Sequence, residues 1–501
     1  MNAGTSAHPF SPKGSPVNMD DKSLETLNLI KAQTTGVTSS TGLTGIDLSG
    51  VVSLIPVNTP FYDSIPRQRS TTGAKYAQWK VLTDITNLQA DPGTAFDYAA
   101  PLALLNELDA SAPYGKVGYG YTVTRDAENF AKGYVDARAR GVFNSLSQYR
   151  IGMERKLLGG QVFNLPTPTA PTTATATTGG TIAATTAVNV KVAARTGSNF
   201  YWGGSTDASA QGSVTTGAGA TNSATATATA IPGAVAYDWY VAGFYYTTTT
   251  VNKVTITSIP VANASVPNIP GLNGTAPTAV PATNTSGKAT DFNGLLATLA
   301  GDYATGGATG LVTRGSGTSS GAAFQSLDGA TFTVSGQSIP ELDTMFTTVF
   351  NKIQASPTRI LLASQEATSL SKLLLSSAGG GTTFLTPNGG GRNNIEAGGY
   401  IGSYINKAAG GIPVPLVVMP HLAPGTLFGV SDSGAAFAGA DISNVFEMRQ
   451  LDDVQDYQYA TNRNSGVAGG GPRDDGEVFS TSALINRAPV GAAVLSNIAA
   501  S

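Results

Sequence analysis

The sequence has no cysteine. Disulfides, thiolate metal sites and cysteine nucleophiles are therefore excluded. It has two histidines, His8 and His421, too few for a histidine-built zinc site without heavy carboxylate help. Charged residues make up only 12 % of the chain, half the usual share of about 25 %. Lys and Arg number 29 against 32 Asp and Glu, a formal net charge of −3, which excludes a broad cationic face for nucleic acid. Sparse charge suits surfaces that other subunits cover. No window approaches about 18 consecutive apolar residues, so no transmembrane helix is expected. Met1 to Gly14 show no apolar h-region, so no signal peptide is expected, and the expected product is soluble and intracellular.

Hydrophobic residues form 41 % of the 501 positions, enough for packed cores rather than wholesale disorder. At about 150 residues per domain the length allows roughly three domains. The 60 glycines exceed the ordinary share of about 7 % and point to many turns and a β-rich chain. Residues 1–60 read as an arm rich in Pro, Ser, Gly and Thr, with one amphipathic stretch, Asp20 to Gln33, that repeats Leu24, Leu27 and Ile30. Such an arm has little of its own chain to pack on and is expected to dock on a neighbour or stay unordered. Ala74 to Leu82 and Lys116 to Thr124 alternate with period two and predict strands, joined by a long extension rather than a tight hairpin. Arg125 to Leu158 then changes to helical spacing through Phe130, Tyr134, Val142, Leu146, Tyr149, Met153 and Leu157. That predicts one rod of roughly 50 Å, closed by Gly159 and Gly160.

Composition shifts at Pro166. From there to Thr290 the charged residues are Lys191, Arg195, Asp207, Asp238, Lys253 and Lys288 alone. Strand-like runs at Val188 to Ala194, Ala224 to Ala230, Val235 to Val241 and Val251 to Ile259 predict an inserted β-sandwich, hung on Pro-rich linkers. Val235, Tyr237, Trp239 and Val241 share one face, the pattern of a core. Tyr240, Tyr245 and Tyr246 are left as candidates for an exposed surface that could bind glycans. Beyond the insert, Ser338 to Glu341 reads as a capping box. A helix through Ile353, a strand at Arg359 to Ala363 and a helix at Gln365 to Ser376 follow. Gly379 to Gly399 is a Gly-rich loop. Later strands are predicted at Pro413 to Met419, Thr426 to Val430, Val445 to Val454 and Glu477 to Asn486.

No catalytic constellation emerges. His421 lies in a turn after an apolar strand, where backbone bonding is the ordinary role. The glycine runs at Gly379 and Gly389 lack the Lys-Ser or Lys-Thr of a phosphate loop. Asp452 and Asp453 are neighbours on a strand and point to opposite faces. Arg138, Arg140, Arg150, Arg155 and Lys156 stud the long helix, as a solvated face or one turned toward packaged nucleic acid. No enzyme activity, cofactor or metal is expected.

The order of these pieces resembles the major capsid proteins of tailed bacteriophages, with the Hong Kong 97-type fold. Ser53 to Asp63 (SLIPVNTPFYD) is similar to the end of that family's N-terminal arm. Arg69 to Thr122 resembles its extended E-loop, and Arg125 to Leu158 its spine helix. Ile339 to Phe346 (IPELDTMF) and Ser356 to Ser364 (SPTRILLAS) resemble the entry to its axial domain. Gly411 to Pro420 (GIPVPLVVMP), Ala488 to Ala492 (APVGA) and Asn497-Ile498 resemble its terminal strands. The resemblance implies an α+β fold with an arm at 1–65, the E-loop at 66–124 and a peripheral domain with its spine at 125–165. An immunoglobulin-like or fibronectin-like all-β sandwich at 166–290 interrupts it, the peripheral domain returns at 291–338, and the axial domain with C-terminal strands fills 339–501.

It also implies a function. The chain would assemble with itself, in hexamers and pentamers, into an icosahedral shell around packaged double-stranded DNA, touched weakly and without sequence preference. Portal, scaffold or protease would come from other genes, with no membrane partner, assembly in the host cytoplasm and residence in the virion. Phe96, Tyr98, Leu102, Leu104 and Leu105 near the E-loop tip are the intersubunit contact candidates. Ala90 to Leu105 holds no lysine, so non-covalent cohesion is expected. A β-rich adhesin or tail-associated protein with a glycan-binding insert is the alternative, and a hydrolase a more distant one.

Overall fold

A computed structural model describes residues 56–70, 73–85, 105–132, 136–299, 322–335, 338–353, 356–377, 401–432, 444–459 and 473–500. The arm stretch Asp20 to Gln33, the E-loop tip and the loop Gly379 to Gly399 lie outside them. The described residues build a mixed α+β structure. Among them, no helix is long and apolar enough to cross a membrane.

Pro60 opens a short helix, α1 (Pro60–Ser64), where its missing N–H costs nothing. β1 (Arg67–Arg69) follows. β2 (Tyr76–Ile85) and β3 (Leu105–Pro113) form an antiparallel two-stranded ribbon, with Tyr76 opposite Pro113 and Ile85 opposite Leu105. This corrects the expected return strand at Lys116 to Thr124. β3 reads LNELDASAP and lacks the apolar alternation that marks a half-buried strand. The alternating segment is a separate strand, β4 (Gly115–Thr124), which belongs to another sheet.

The expected single rod is two helices, α2 (Arg125–Ala131) and α3 (Ala137–Gly159). Thr124 caps α2 through the Ala127 N–H. Asp136 takes the N–H groups of both Arg138 and Ala139 at 3.0 Å, so it starts a new helix inside what reads as one period. At 1.5 Å per residue α3 spans roughly 35 Å.

The insert carries β5 (Thr172–Ala176), β6 (Ala187–Arg195), α4 (Gly197–Trp202), β7 (Gly212–Thr215), β8 (Ser223–Thr227), β9 (Ala236–Val241), β10 (Phe244–Thr249) and β11 (Lys253–Ile256). Its strands form two antiparallel sheets, ordered β10-β9-β6-β7 and β11-β8-β5. One core lies between them. Val190, Val192, Tyr237, Trp239 and Val241 of the first sheet meet Ala224, Ala226, Val254 and Ile256 of the second. The order differs from the immunoglobulin arrangement, in which the first two strands are neighbours. Here the first strand, β5, pairs with the fourth, β8.

The chain returns through α5 (Leu295–Leu299), β12 (Ala323–Ser326), α6 (Pro340–Ile353), β13 (Arg359–Leu362), α7 (Ser364–Ser377), β14 (Ser403–Asn406), β15 (Ile412–Val418), β16 (Leu427–Val430), β17 (Phe446–Gln458), β18 (Arg473–Asn486) and β19 (Ala493–Ser496). Six strands form one sheet, ordered β12-β19-β16-β13-β15-β14. Leu342, Met345, Phe346 and Val349 of α6 and Leu370 of α7 pack on Ile360, Leu362, Leu416, Leu427 and Leu495 of this sheet. The expected capping box is absent. Ser338 bonds the Asp343 side chain, while Glu341 reaches the Thr333 hydroxyl at 2.6 Å. A second sheet runs β1-β17-β18-β4.

The chain divides into two compact units. One comprises Tyr121–Phe143 and Gln458–Gly476 among the described residues; the other holds the insert, the ribbon and the six-stranded sheet.

Two fully buried carboxylates, Glu154 and Glu366, are sensitive to pH. Glu366 of α7 accepts the Gly425 N–H at 2.7 Å, and burial first of all raises its pKa from 4.5 to about 7. The unfolded chain releases this proton near 4.5, the folded one near 7. Between those values the native state holds more protons, so this group's contribution to stability falls as pH rises. Glu366→Gln should flatten the stability–pH slope in that window by up to about 1.4 kcal/mol per pH unit. Urea titrations at several pH values check it; an unchanged slope contradicts it.

Candidate assembly and binding surfaces

Helix α1 is fastened to α3 by a residue that gives no sequence signal. Glu154 of α3 is fully buried. Its Oε1 accepts the Phe61 N–H at 3.1 Å and its Oε2 the Tyr62 N–H at 2.6 Å. These are orphan donors at the start of α1, where a carboxylate is favoured. Burial raises Glu154 to about 7, with the two N–H bonds opposing. Around it Arg150 pairs with Asp63 at 2.8 Å, Arg359 donates to Ser64 at 3.0 Å, and the Arg67 guanidinium lies 4.0 Å from the Tyr62 ring centroid.

The ribbon is anchored at one end. Ala77 and Ala112 are buried with Ala483 and Ile485 of β18. Of the contact candidates, Phe96, Tyr98, Leu102 and Leu104 lie outside the described residues. Leu105 opens β3 opposite Ile85. Large apolar side chains stand in solvent elsewhere, including Phe130 at 65 %, Phe143 at 58 % and Ile405 at 55 % exposure.

The insert does not hang on free linkers. Gly197 at the start of α4 meets Gly159 at the end of α3 so closely that a Cβ on either would lie 2.6 Å from the other's Cα. Backbone bonds run from Lys288 to Gln161 and from Gly294 to Gly160. Lys156 Nζ pairs with the buried Asp291 at 2.9 Å. The Arg155 guanidinium lies 4.4 Å from the Tyr201 ring centroid, and the Tyr201 hydroxyl donates to the His421 carbonyl at 2.7 Å. His421 is thus a turn residue bonded through its backbone, with its imidazole held down near 4 by burial and then by Arg155.

The expected exposed tyrosines are corrected. Tyr240 and Tyr245 are each 1 % exposed. Period-two alternation points them away from the sandwich core, and it points them correctly. Residues 260–281 then cross that outer face as a strap. Ala264, Val266, Ala276 and Val280 cover the two rings, and the Ala264 N–H bonds the Tyr245 carbonyl at 2.9 Å. Tyr246 is half-buried against the core, and its hydroxyl accepts the Thr257 N–H at 3.1 Å. The tyrosine platform for a glycan is therefore not open.

The cations of α3 are mostly engaged with protein partners. Arg138 donates to Gln458 at 2.9 Å, Arg150 holds Asp63, Arg155 stacks on Tyr201, and Lys156 holds Asp291. Among the described residues no three His, Cys, Asp or Glu side chains converge as metal ligands.

No protein-family model matches the sequence, and no curated protein matches it. Solved structures that it resembles at low identity include capsids and an encapsulin. The cyanophage A-1(L) capsid has TM-score 0.46 and 9 % identity, covering 92 % of this chain and 99 % of that one. The capsid of a native GTA particle has TM-score 0.42 and 7 % identity, covering 93 % and 98 %. The holo-SrpI encapsulin complex from Synechococcus elongatus has TM-score 0.37 and 9 % identity, covering 90 % and 93 %.

Proposed function

We propose that this chain is a shell-forming subunit, a major capsid protein of the Hong Kong 97 type that assembles with itself around double-stranded DNA. The β2–β3 ribbon carries the reading. A two-stranded ribbon alone is marginal in water. Ala77 and Ala112 bury it against Ala483 and Ile485, and among the described residues neither strand has another sheet neighbour. Lapping over an adjacent subunit would give its two strand edges a partner. The exposed Phe130 and Ile405 are further apolar surface that neighbouring subunits would cover. In this reading 66–124 is the E-loop, α3 the spine, the six-stranded sheet the core of the axial domain, and 166–290 a sandwich docked on the end of the spine.

Leu104 and Leu105 test the clamp. Changing both to Asp would bury charge in the contact and should abolish particles; an unchanged melting temperature of the free subunit places the effect on assembly. Normal shells of normal stability from that variant would remove the clamp.

A further inference from the structure

Asparagine is followed by glycine at Asn273, Asn293 and Asn388. Asn388 lies outside the described residues. Such a pair is chemically fragile, because glycine has no Cβ to shield its backbone nitrogen or to restrict its dihedrals. That nitrogen can reach the asparagine side-chain carbon. The fold treats the two described pairs differently. Asn293 is 3 % exposed, and the Gly294 N–H donates to the Gly160 carbonyl at 2.8 Å. A Cβ at Gly294 would collide with the Lys156 carbonyl, so the nitrogen is committed and closely packed. Asn273 sits in the strap that covers Tyr240 and Tyr245. Gly274 is exposed, with nothing within 4 Å of where its Cβ would stand. Its N–H makes no hydrogen bond among the described residues. The Asn273 Oδ1 accepts the Thr275 N–H at 2.8 Å, an Asx turn that folds the side-chain carbonyl back over the nitrogen between them. The same bond stabilises an oxyanion forming on that oxygen. Asn293 has a comparable bond, from the Val162 N–H at 3.1 Å. The nucleophile, and not the carbonyl, therefore separates the two sites.

We propose that Asn273 is a modification site, deamidated spontaneously with water as the co-reactant. The Gly274 nitrogen gives its proton to hydroxide and bonds the Asn273 Cγ. The Cγ–Nδ2 bond breaks, and ammonia leaves with a proton taken from water, closing a succinimide ring. Water then opens either ring carbonyl, giving aspartate or isoaspartate; nothing is oxidised or reduced. The product puts a carboxylate into a stretch with no acid between Asp238 and Asp291. Isoaspartate also lengthens the main chain within the strap. Both changes fall in the segment whose Ala264, Val266, Ala276 and Val280 cover the two tyrosines. The reaction does not depend on shell formation, so its test and the assembly test fail separately.

The experiment is incubation of the folded full chain in warm, mildly alkaline buffer, with samples digested by trypsin and read by mass spectrometry for the mass gain of amide exchanged for acid. Trypsin cuts after Lys253, Lys288 and Arg314, so Asn273 and Asn293 fall in different peptides, and fragmentation places the change on one residue. Asn273 should convert about tenfold faster than Asn293, the effect of the one hydrogen bond that Gly294 must break. Its product should separate chromatographically into aspartyl and isoaspartyl forms. Gly274→Ala should slow conversion at Asn273 several-fold and leave Asn293 unchanged. The space at Gly274 is open and its φ is not positive, so this variant should fold; a matching melting temperature verifies that. No conversion at Asn273, equal rates at the two sites in the folded chain, or an unchanged rate in Gly274→Ala overturns the proposal.

Discussion

Trp239→Ala should unfold the insert and lower the stability of the chain by about 3–5 kcal/mol, the usual cost of emptying a buried aromatic site. The side chain is 0 % exposed. It fills the space between the two sheets beside Tyr237 and Val241, and its Nε1 donates to the Thr249 hydroxyl at 2.8 Å. Truncation removes the ring and leaves the Thr249 hydroxyl without its indole donor. Most opposing side chains are Ala or Val, too small to close the gap. Urea unfolding and limited proteolysis across 166–290 read the effect. A variant as stable and as protease-resistant as the parent contradicts the sandwich core described above.

Gly197→Val should separate the insert from the spine. The new Cβ would meet the Gly159 Cα at 2.6 Å, and backbone on both sides cannot move aside as a side-chain tip can. Overpacking of this kind costs about 1–3 kcal/mol or more. The displaced insert would also loosen the Lys156–Asp291 pair and the Tyr201–His421 bond. Cutting out 166–290 acts at the same junction, so the deletion should destabilise the remainder rather than leave it intact. The expected thermal profile of Gly197→Val is a lowered first transition followed by a separate one for the rest of the chain. A single unshifted transition contradicts the docked junction.

The contrast with a freely hung insert shows what sequence can and cannot carry. Pro-rich flanks and a drop in charge mark where composition changes, and strands β6, β8, β9 and β11 show there by alternation. Neither signal encodes docking, which rests on two glycines, Gly159 and Gly197, far apart in sequence. Tyr240 and Tyr245 fail for a related reason. Alternation decides which side of a sheet a residue leaves from, and says nothing of a later segment that covers that side. The strap is built from small residues and prolines without period, so it reads as linker. Helix α6 and strand β13 are legible because their apolar spacing is decided locally, by one face packing on one sheet. Glu154 is silent because its partners, Phe61 and Tyr62, lie 93 and 92 residues away, and a single Glu amid arginines is ordinary on any helix. β3 is silent because its pairing with β2 needs no apolar alternation.

Assembly is the central claim, and electron microscopy of the purified chain tests it most directly. Purified protein at neutral pH, negatively stained, should show closed, roughly spherical shells of uniform size, with the ribbon of one subunit laid over the next when such particles are averaged. Monomers, open fibres or irregular aggregates from protein that is folded by circular dichroism would contradict the account.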